Sequence, residues 1–170
     1  MSSLTNNHQT FYLFRHGLAT HSTTGYGNRA LSAELLTEGE VAVHQLGTYL
    51  HQFPVELAMT SPVPRCVQTA SIVTEHTGWQ FQVEDQVTEY YPEIFGPFHD
   101  RLTAFAHHLT TLPQRQIAIC THGGVIAGLR HLLTEGSFSE SQILDYPEPA
   151  GLVIVDLTHK PTAQTVEWNQ

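Results

Sequence analysis

Three short polar clusters in this 170-residue chain carry side chains suited to gripping and moving an oxyanion. Arg15 and His16 follow the apolar run Phe11-Tyr12-Leu13-Phe14, Arg65 ends the stretch Thr60-Ser61-Pro62-Val63-Pro64-Arg65, and His122 lies in Thr121-His122-Gly123-Gly124. Two guanidiniums bind the non-bridging oxygens of a tetrahedral dianion through paired, charge-assisted hydrogen bonds, and they keep their charge at any relevant pH. A neutral imidazole among them is a nucleophile that can form a covalent intermediate and divide one hard step into two. A second imidazole, protonated, adds positive charge to a transferring group whose transition state depends on positioning and electrostatics. Gly17, Gly123 and Gly124 are expected to let the backbone approach a ligand closely.

The clusters are far apart in sequence, so the fold must bring them together. Residues 10–14 read as a buried strand, with Arg15 where it ends. Residues 20–32, full of Gly, Ser, Thr and Asn, read as a loop. Over 37–52, Val41, Val43, Leu46, Tyr49 and Leu50 recur at helical spacing, with Thr37 as N-cap, Glu38 and Glu40 in the first turn and Pro54 beyond the end. A short strand over 55–59 leads into Thr60-Ser61-Pro62 and a helix to about residue 75, Pro62 taking an early helical position. A strand over 79–87, a loop over 89–100 and a helix over 101–112 follow. The strand 116–120 runs into the His122 cluster and a helix to about residue 133. A strand over 152–157 and an edge strand over 165–168 complete the order. Strands alternating with helices predict an α/β protein, a three-layer α/β/α sandwich with a mostly parallel central sheet. Ligands in such sheets bind outside the carboxyl ends of the strands, where all three clusters fall.

The size and the 41% hydrophobic content fit one domain over residues 1–170. Seven Lys plus Arg against sixteen Asp plus Glu give −9 at pH 7, which disfavours nucleic acid and anionic membrane as partners. The twelve histidines are scattered and make no zinc-type spacing, and His107 and His108, adjacent on one helix, cannot share a metal. Residues 1–8 show neither the basic start nor the apolar stretch of a secretory signal, and no apolar run is long enough for a membrane span. Cys66 and Cys120 are expected to be reduced and packed as small hydrophobes, so a cytoplasmic setting is expected. Oligomeric state is not readable from the sequence.

"RHG" at 15–17, "TSPVPRCVQTA" at 60–70, "THGGVI" at 121–126 and "LTEGE" at 36–40 resemble, in order and in structural place, the motifs of the histidine phosphatase superfamily, the phosphoglycerate-mutase-like proteins. The resemblance spans nearly the whole chain. It implies that His16 is phosphorylated in turnover, that Arg15, Arg65 and His122 complete the phosphate pocket, and that neither metal nor other cofactor is used. It also implies an acidic proton donor after the third strand, because an alkoxide leaves poorly unless protonated. Glu89 stands nearest that place and Glu93 competes with it. Tyr26, Tyr90 and Tyr91 are assigned no role in the site.

The chain departs from the family at two places. Where many members continue with an acidic or amide residue, a Thr or Ser and then an Asn, it reads Leu18-Ala19-Thr20-His21-Ser22, leaving Thr20, His21 or Ser22 to replace a phosphate contact. Between Gly96 and Gln116 there is room for only one helix, which resembles the short phosphatase type without a large lid insertion and argues against mutase activity. Such a site is expected to be open and shallow. The expected reaction is hydrolysis of a phosphomonoester through phosphohistidine on His16, the substrate being a phosphorylated small molecule or phosphoprotein. The alternatives are a phosphohistidine protein phosphatase of the short bacterial type, whose members tend to lack the acidic donor, and a non-catalytic phosphate-binding regulatory module.

Overall fold

The computed structural model describes residues 8–22 and 24–168, so the signal reading of residues 1–7 falls outside the described residues. Among the described residues, ten strands and α-helices order the chain: β1 (Thr10–Arg15), α1 (Glu40–Leu50), β2 (Leu57–Thr60), α2 (Pro64–Thr77), β3 (Phe81–Val83), α3 (Phe95–Thr111), β4 (Gln116–Thr121), α4 (Gly123–Glu135), β5 (Leu152–Asp156) and β6 (Thr162–Val166). The strands form one sheet in the order β3-β2-β4-β1-β5-β6. The β1–β4, β2–β4 and β2–β3 pairs are parallel, while β5 and β6 add antiparallel pairs on one side.

Period-2 alternation sorts the strand residues into two cores. Phe11, Leu13, Ile117, Ile119, Val153 and Val155 face α3 and α4, packing with Leu102, Phe105 and Leu129. Tyr12, Phe14, Ala118, Cys120 and Leu152 face α1 and α2, packing with Val43, Leu46, Cys66 and Val73. Helices therefore cover both faces, giving the three-layer sandwich with its mostly parallel sheet. The register then fixes the site, because Arg15 lies beside Thr121 and Thr60 beside Cys120. Three strands end at one edge of the sheet.

Several boundaries differ from the sequence expectation. Thr37 caps nothing; residues Thr37–Gly39 form a 3-10 turn and Gly39 precedes α1. Val41 is 64% exposed, its expected place on the inner face of α1 being taken by Ala42. Pro64, not Pro62, opens α2, in the first turn where a missing N–H costs nothing. The strand expected over 79–87 shrinks to Phe81–Val83, because the Glu84 side chain accepts from Gln86 N and starts a 3-10 turn. The loop expected over 89–100 ends early: α3 begins at Phe95, and Pro97 falls in its first turn, where its ring displaces no helical hydrogen bond. The edge strand runs over Thr162–Val166 rather than 165–168.

Phe14 is fully buried and meets Phe81 edge-on, with ring centroids 6.2 Å apart. Its truncation removes a large apolar group and leaves a cavity directly behind Arg15 and His16. Phe14→Ala is expected to cost about 3–5 kcal/mol. That corresponds to a melting temperature lower by roughly 6–20 °C for a chain of this size, measured by calorimetry.

Candidate active site

His16 leaves the end of β1 with its backbone N–H on Thr121 O at 3.2 Å, so the two strand ends are stitched together at the nucleophile candidate. Its ring Nδ1 lies 2.8 Å from Gly17 O, and a carbonyl there makes Nδ1 the protonated nitrogen. Nε2 therefore carries the lone pair, and Arg65 Nε donates to it at 3.1 Å. Burial, then the cations at His122, Arg65 and Arg15, hold the His16 pKa well below its ordinary 6.5. A neutral imidazole results across the physiological range.

Arg65, the second residue of α2, has no solvent exposure. Besides His16, its Nη1 donates to Ala33 O at 3.4 Å and its Nη2 to Glu89 Oε2 at 2.9 Å. The ring of Tyr26 covers the guanidinium face, with the Arg65 Cζ 4.1 Å from its centroid. Tyr26, given no role from sequence, thus belongs to the site. The open, shallow site expected from the short lid is not what the fold makes: His16 is 1% exposed, and Arg65 and His122 not at all.

Glu89 and Glu93 part company. Glu89 Oε2 lies 3.3 Å from His122 Nδ1 as well as against Arg65, and its Oε1 accepts from Tyr90 N at 2.9 Å. Glu93 instead pairs with Arg101, whose Nε is 3.3 Å from Glu93 Oε2. Arg101 also donates to Gln86 O at 2.6 Å, Thr88 O at 3.3 Å and Glu89 O at 3.3 Å. Thr121 Oγ1 donates to Val87 O at 2.6 Å. Arg101 and Thr121, neither singled out from sequence as functional, together fasten the segment that delivers Glu89.

His122 follows the last residue of β4 and stands immediately before α4, whose positive N-terminal end opens onto the site. Its Nε2 is 2.8 Å from Ser61 Oγ and 3.5 Å from Cys66 Sγ, so Cys66, packed in the core as expected, also abuts the second histidine. Burial pulls the His122 pKa down, and Cys66 and Glu89 outweigh it, raising it from 6.5 to about 9. Burial likewise pushes Glu89 up, and His122, the Tyr90 amide and Arg65 overcome it, holding its carboxyl well below the usual range. At rest, the proton sits on His122 and the negative charge on Glu89.

Arg15 reaches the rim beside these residues, donating through Nη1 to Pro147 O at 3.1 Å, and its buried Nε has no partner among the described residues. The glycines do other work than expected. A Cβ on Gly17 would lie 2.6 Å from Val43 Cγ2 and 2.7 Å from Leu35 Cδ1, so Gly17 lets β1 settle onto α1; its N–H donates to Thr69 Oγ1 at 3.0 Å. A Cβ on Gly123 would strike the Tyr146 ring at 2.7 Å, whereas one on Gly124 would meet nothing closer than 3.8 Å. In the segment after Gly17, Ser22 Oγ accepts from Ala19 N at 2.9 Å and lies 3.0 Å from Tyr26 Oη, and His21 Nε2 accepts from Arg29 at 3.1 Å. Thr20 and His21 line a hollow of about 490 Å³ beside Ala33 rather than the pocket itself. Tyr90 stacks on Phe98 at 4.0 Å and serves the core. Among the described residues no group of three or more His, Cys, Asp or Glu could hold a metal ion, and no helix is long and apolar enough to cross a membrane.

Two arginines, two buried histidines and a carboxylate thus meet at the carboxyl edge of an α/β sheet. The sequence profile of the histidine phosphatase superfamily (branch 1) matches residues 11–96, and the chain belongs to that superfamily. No curated protein sequence matches it. Among solved structures, the alpha-ribazole phosphatase from Shigella flexneri shares 18% identity, with 95% of this chain and 96% of that one covered and a TM-score of 0.79. The protein histidine phosphatase SixA complexed with tungstate shares 17%, covering 94% and 97%, at a TM-score of 0.69. A phosphoglycerate mutase from Bacillus anthracis str. Sterne shares 14%, covering 96% and 94%, at 0.70. At these identities the likeness is one of fold.

The charge arrangement has a direct readout. The His122 contribution to stability is fully present below its unfolded pKa, near 6.5, and is lost as pH rises through about 9, because its folded pKa is the raised one. In ¹⁵N NMR of the labelled protein, the His122 ring is expected to release its proton near pH 9, while His16 stays neutral well below pH 6.5. A charged His16 at pH 6 would contradict this layout.

Proposed function

We propose that the chain is a cofactor-independent phosphatase that hydrolyses a phosphomonoester through a phosphohistidine on His16. The observation that carries this reading is the contact of Arg65 Nε with His16 Nε2, which sets a phosphate-gripping cation and the nucleophilic lone pair 3.1 Å apart in a buried pocket. Arg15 supplies a second guanidinium whose buried Nε an oxyanion would satisfy.

A bound dianion competes for the donors of Arg65. As they turn from His16 and Glu89 to the phosphoryl oxygens, the His16 lone pair is uncapped and Glu89 loses one of the cations that keep it ionised. The dianion's own charge raises the Glu89 pKa further, so Glu89 becomes protonated only when a substrate stands beside it; an ester that binds as the monoanion brings the proton. His16 then attacks phosphorus in line while the bond to the leaving oxygen breaks and Glu89 protonates it. Water afterwards attacks phospho-His16 with Glu89 as base, returning His16 and releasing phosphate. His122, protonated and held by Ser61 and Glu89, balances charge on the phosphoryl oxygens throughout.

The 1% exposure of His16 and the carboxylate in the pocket favour a small phosphomonoester over a phosphorylated protein side chain. Chain length does not separate phosphatase from mutase, since the phosphoglycerate mutase named above is almost wholly covered by this short chain. The cytoplasmic setting and the phosphorylated small-molecule partner stand as part of this proposal.

His16→Ala is expected to abolish turnover, and ³²P from a labelled aryl phosphate is expected on His16 after an acid-free quench. Turnover at the wild-type rate in His16→Ala would sink the mechanism. Glu89→Gln should lower kcat for alkyl phosphomonoesters by about 10² to 10⁴-fold and spare phosphohistidine, whose nitrogen leaves more readily. Glu93→Gln should change kcat far less, because Glu93 faces Arg101 and not the pocket.

A further inference from the structure

The connection from α4 to β5 is fastened at both ends, and Arg15 leans on its middle. At the β5 end, Ala150 N donates to His16 O and Arg15 N to Gly151 O, both at 2.9 Å. At the other end Asp145 reaches α4, its Oδ2 2.9 Å from His131 Nε2 and its Oδ1 3.4 Å from Arg130 Nη1. His131, nine-tenths buried, sets its Nδ1 3.0 Å from Glu135 Oε1, so both ring nitrogens face carboxylate oxygens.

The two residues after Asp145 orient Arg15. The Tyr146 ring centroid lies 4.9 Å from the Arg15 Cζ, and Pro147 O accepts from its Nη1 at 3.1 Å. The other flank of Tyr146 rests on Gly123, at the start of α4. Among the described residues no carboxylate comes within ion-pair distance of Arg15. Its direction is therefore set by a carbonyl and an aromatic face, which leave the positive charge uncompensated for an incoming anion. A flexible side chain that must meet phosphoryl oxygens in a fixed geometry gains from such a rest, because a small misplacement weakens the grip.

We propose that Asp145, held by His131 and Arg130, is a positioning residue for Arg15, acting through Tyr146 and Pro147 on the grip of the phosphoryl group. The proposal rests on the reading of Arg15 as a phosphate ligand. It adds a determinant in the segment after α4 that the catalytic motifs do not include.

A double-mutant cycle tests it, with p-nitrophenyl phosphate as substrate and tungstate as competitive inhibitor, on wild type, Asp145→Ala, Arg15→Lys and the pair. Asp145 is half-exposed, so Asp145→Ala is expected to fold; Asp145→Asn, which keeps an oxygen towards His131 and Arg130, is the second variant and should recover part of the loss. Asp145→Ala should raise KM and the tungstate inhibition constant about three- to tenfold with a smaller change in kcat, and in the Arg15→Lys background it should add less than about twofold. An equal penalty in both backgrounds would overturn the proposal, marking Asp145 as merely structural. No penalty from Asp145→Ala, with Arg15→Lys still weakening tungstate, would also overturn it while leaving the pocket assignment intact. If Arg15→Lys binds tungstate as wild type does, the assignment of Arg15 falls and the proposal with it.

Discussion

A guanidinium with no access to water must have every donor answered or the fold loses several kcal/mol, and in this protein that constraint falls on Arg65. Its three nitrogens are answered by His16, by Ala33 O and by Glu89, and its face by the Tyr26 ring. The partners arrive from three other parts of the chain: the end of β1, the connection from β1 to α1, which supplies both Ala33 and Tyr26, and the segment after β3. Thr69 adds a tie from within α2, accepting from Gly17 N and donating to Arg65 O at 2.8 Å. Arg65 is thus the point at which four segments agree on their positions.

The charges around it nearly cancel at rest. Glu89 is ionised, His122 carries the proton and His16 is neutral, an arrangement each group's burial opposes or favours in the stated direction but which the neighbours decide. With Arg65 itself counted, the buried groups keep a surplus of positive charge, Arg65 and His122 against Glu89, and the donors an anion would need are already present in the interior. In a chain with a formal charge of −9, of whose seven Lys and Arg two are committed to this rim, the attraction for an anion is local.

Much of this was legible because it is written in short-range patterns. The run Phe11 to Phe14 alternates between two cores, and the residue that follows such a run has to emerge at a sheet edge. The same logic placed Thr60 and Thr121, and parallel pairing through β4 then brought Arg15, Arg65 and His122 together. What escaped depends on partners distant in sequence. Nothing near Tyr26 announces that its ring will cover Arg65. Glu89 and Glu93 differ not in their own surroundings in sequence but in which cation the fold brings to each, Arg65 from α2 or Arg101 from α3. The start of α3 was hidden by Gly96 and Pro97, residues that break a helix interior yet fit a first turn. Gly17 and Gly123 looked like ligand cradles because small residues near a catalytic motif invite that reading, while their neighbours are Val43, Leu35 and Tyr146.

Strand β5 runs against its neighbour β1, so the chain enters β5 at the very edge from which β1, β2 and β4 depart. Arg15, His16, Arg65 and His122 hang on outgoing segments, anchored by the motifs that end those strands. The segment bearing Tyr146 and Pro147 is an incoming one, tethered through Asp145 to a helix rather than to a motif. Rewriting the incoming stretch would therefore reach the rim through its contacts with Arg15, while the motifs that end the outgoing strands stayed as they are.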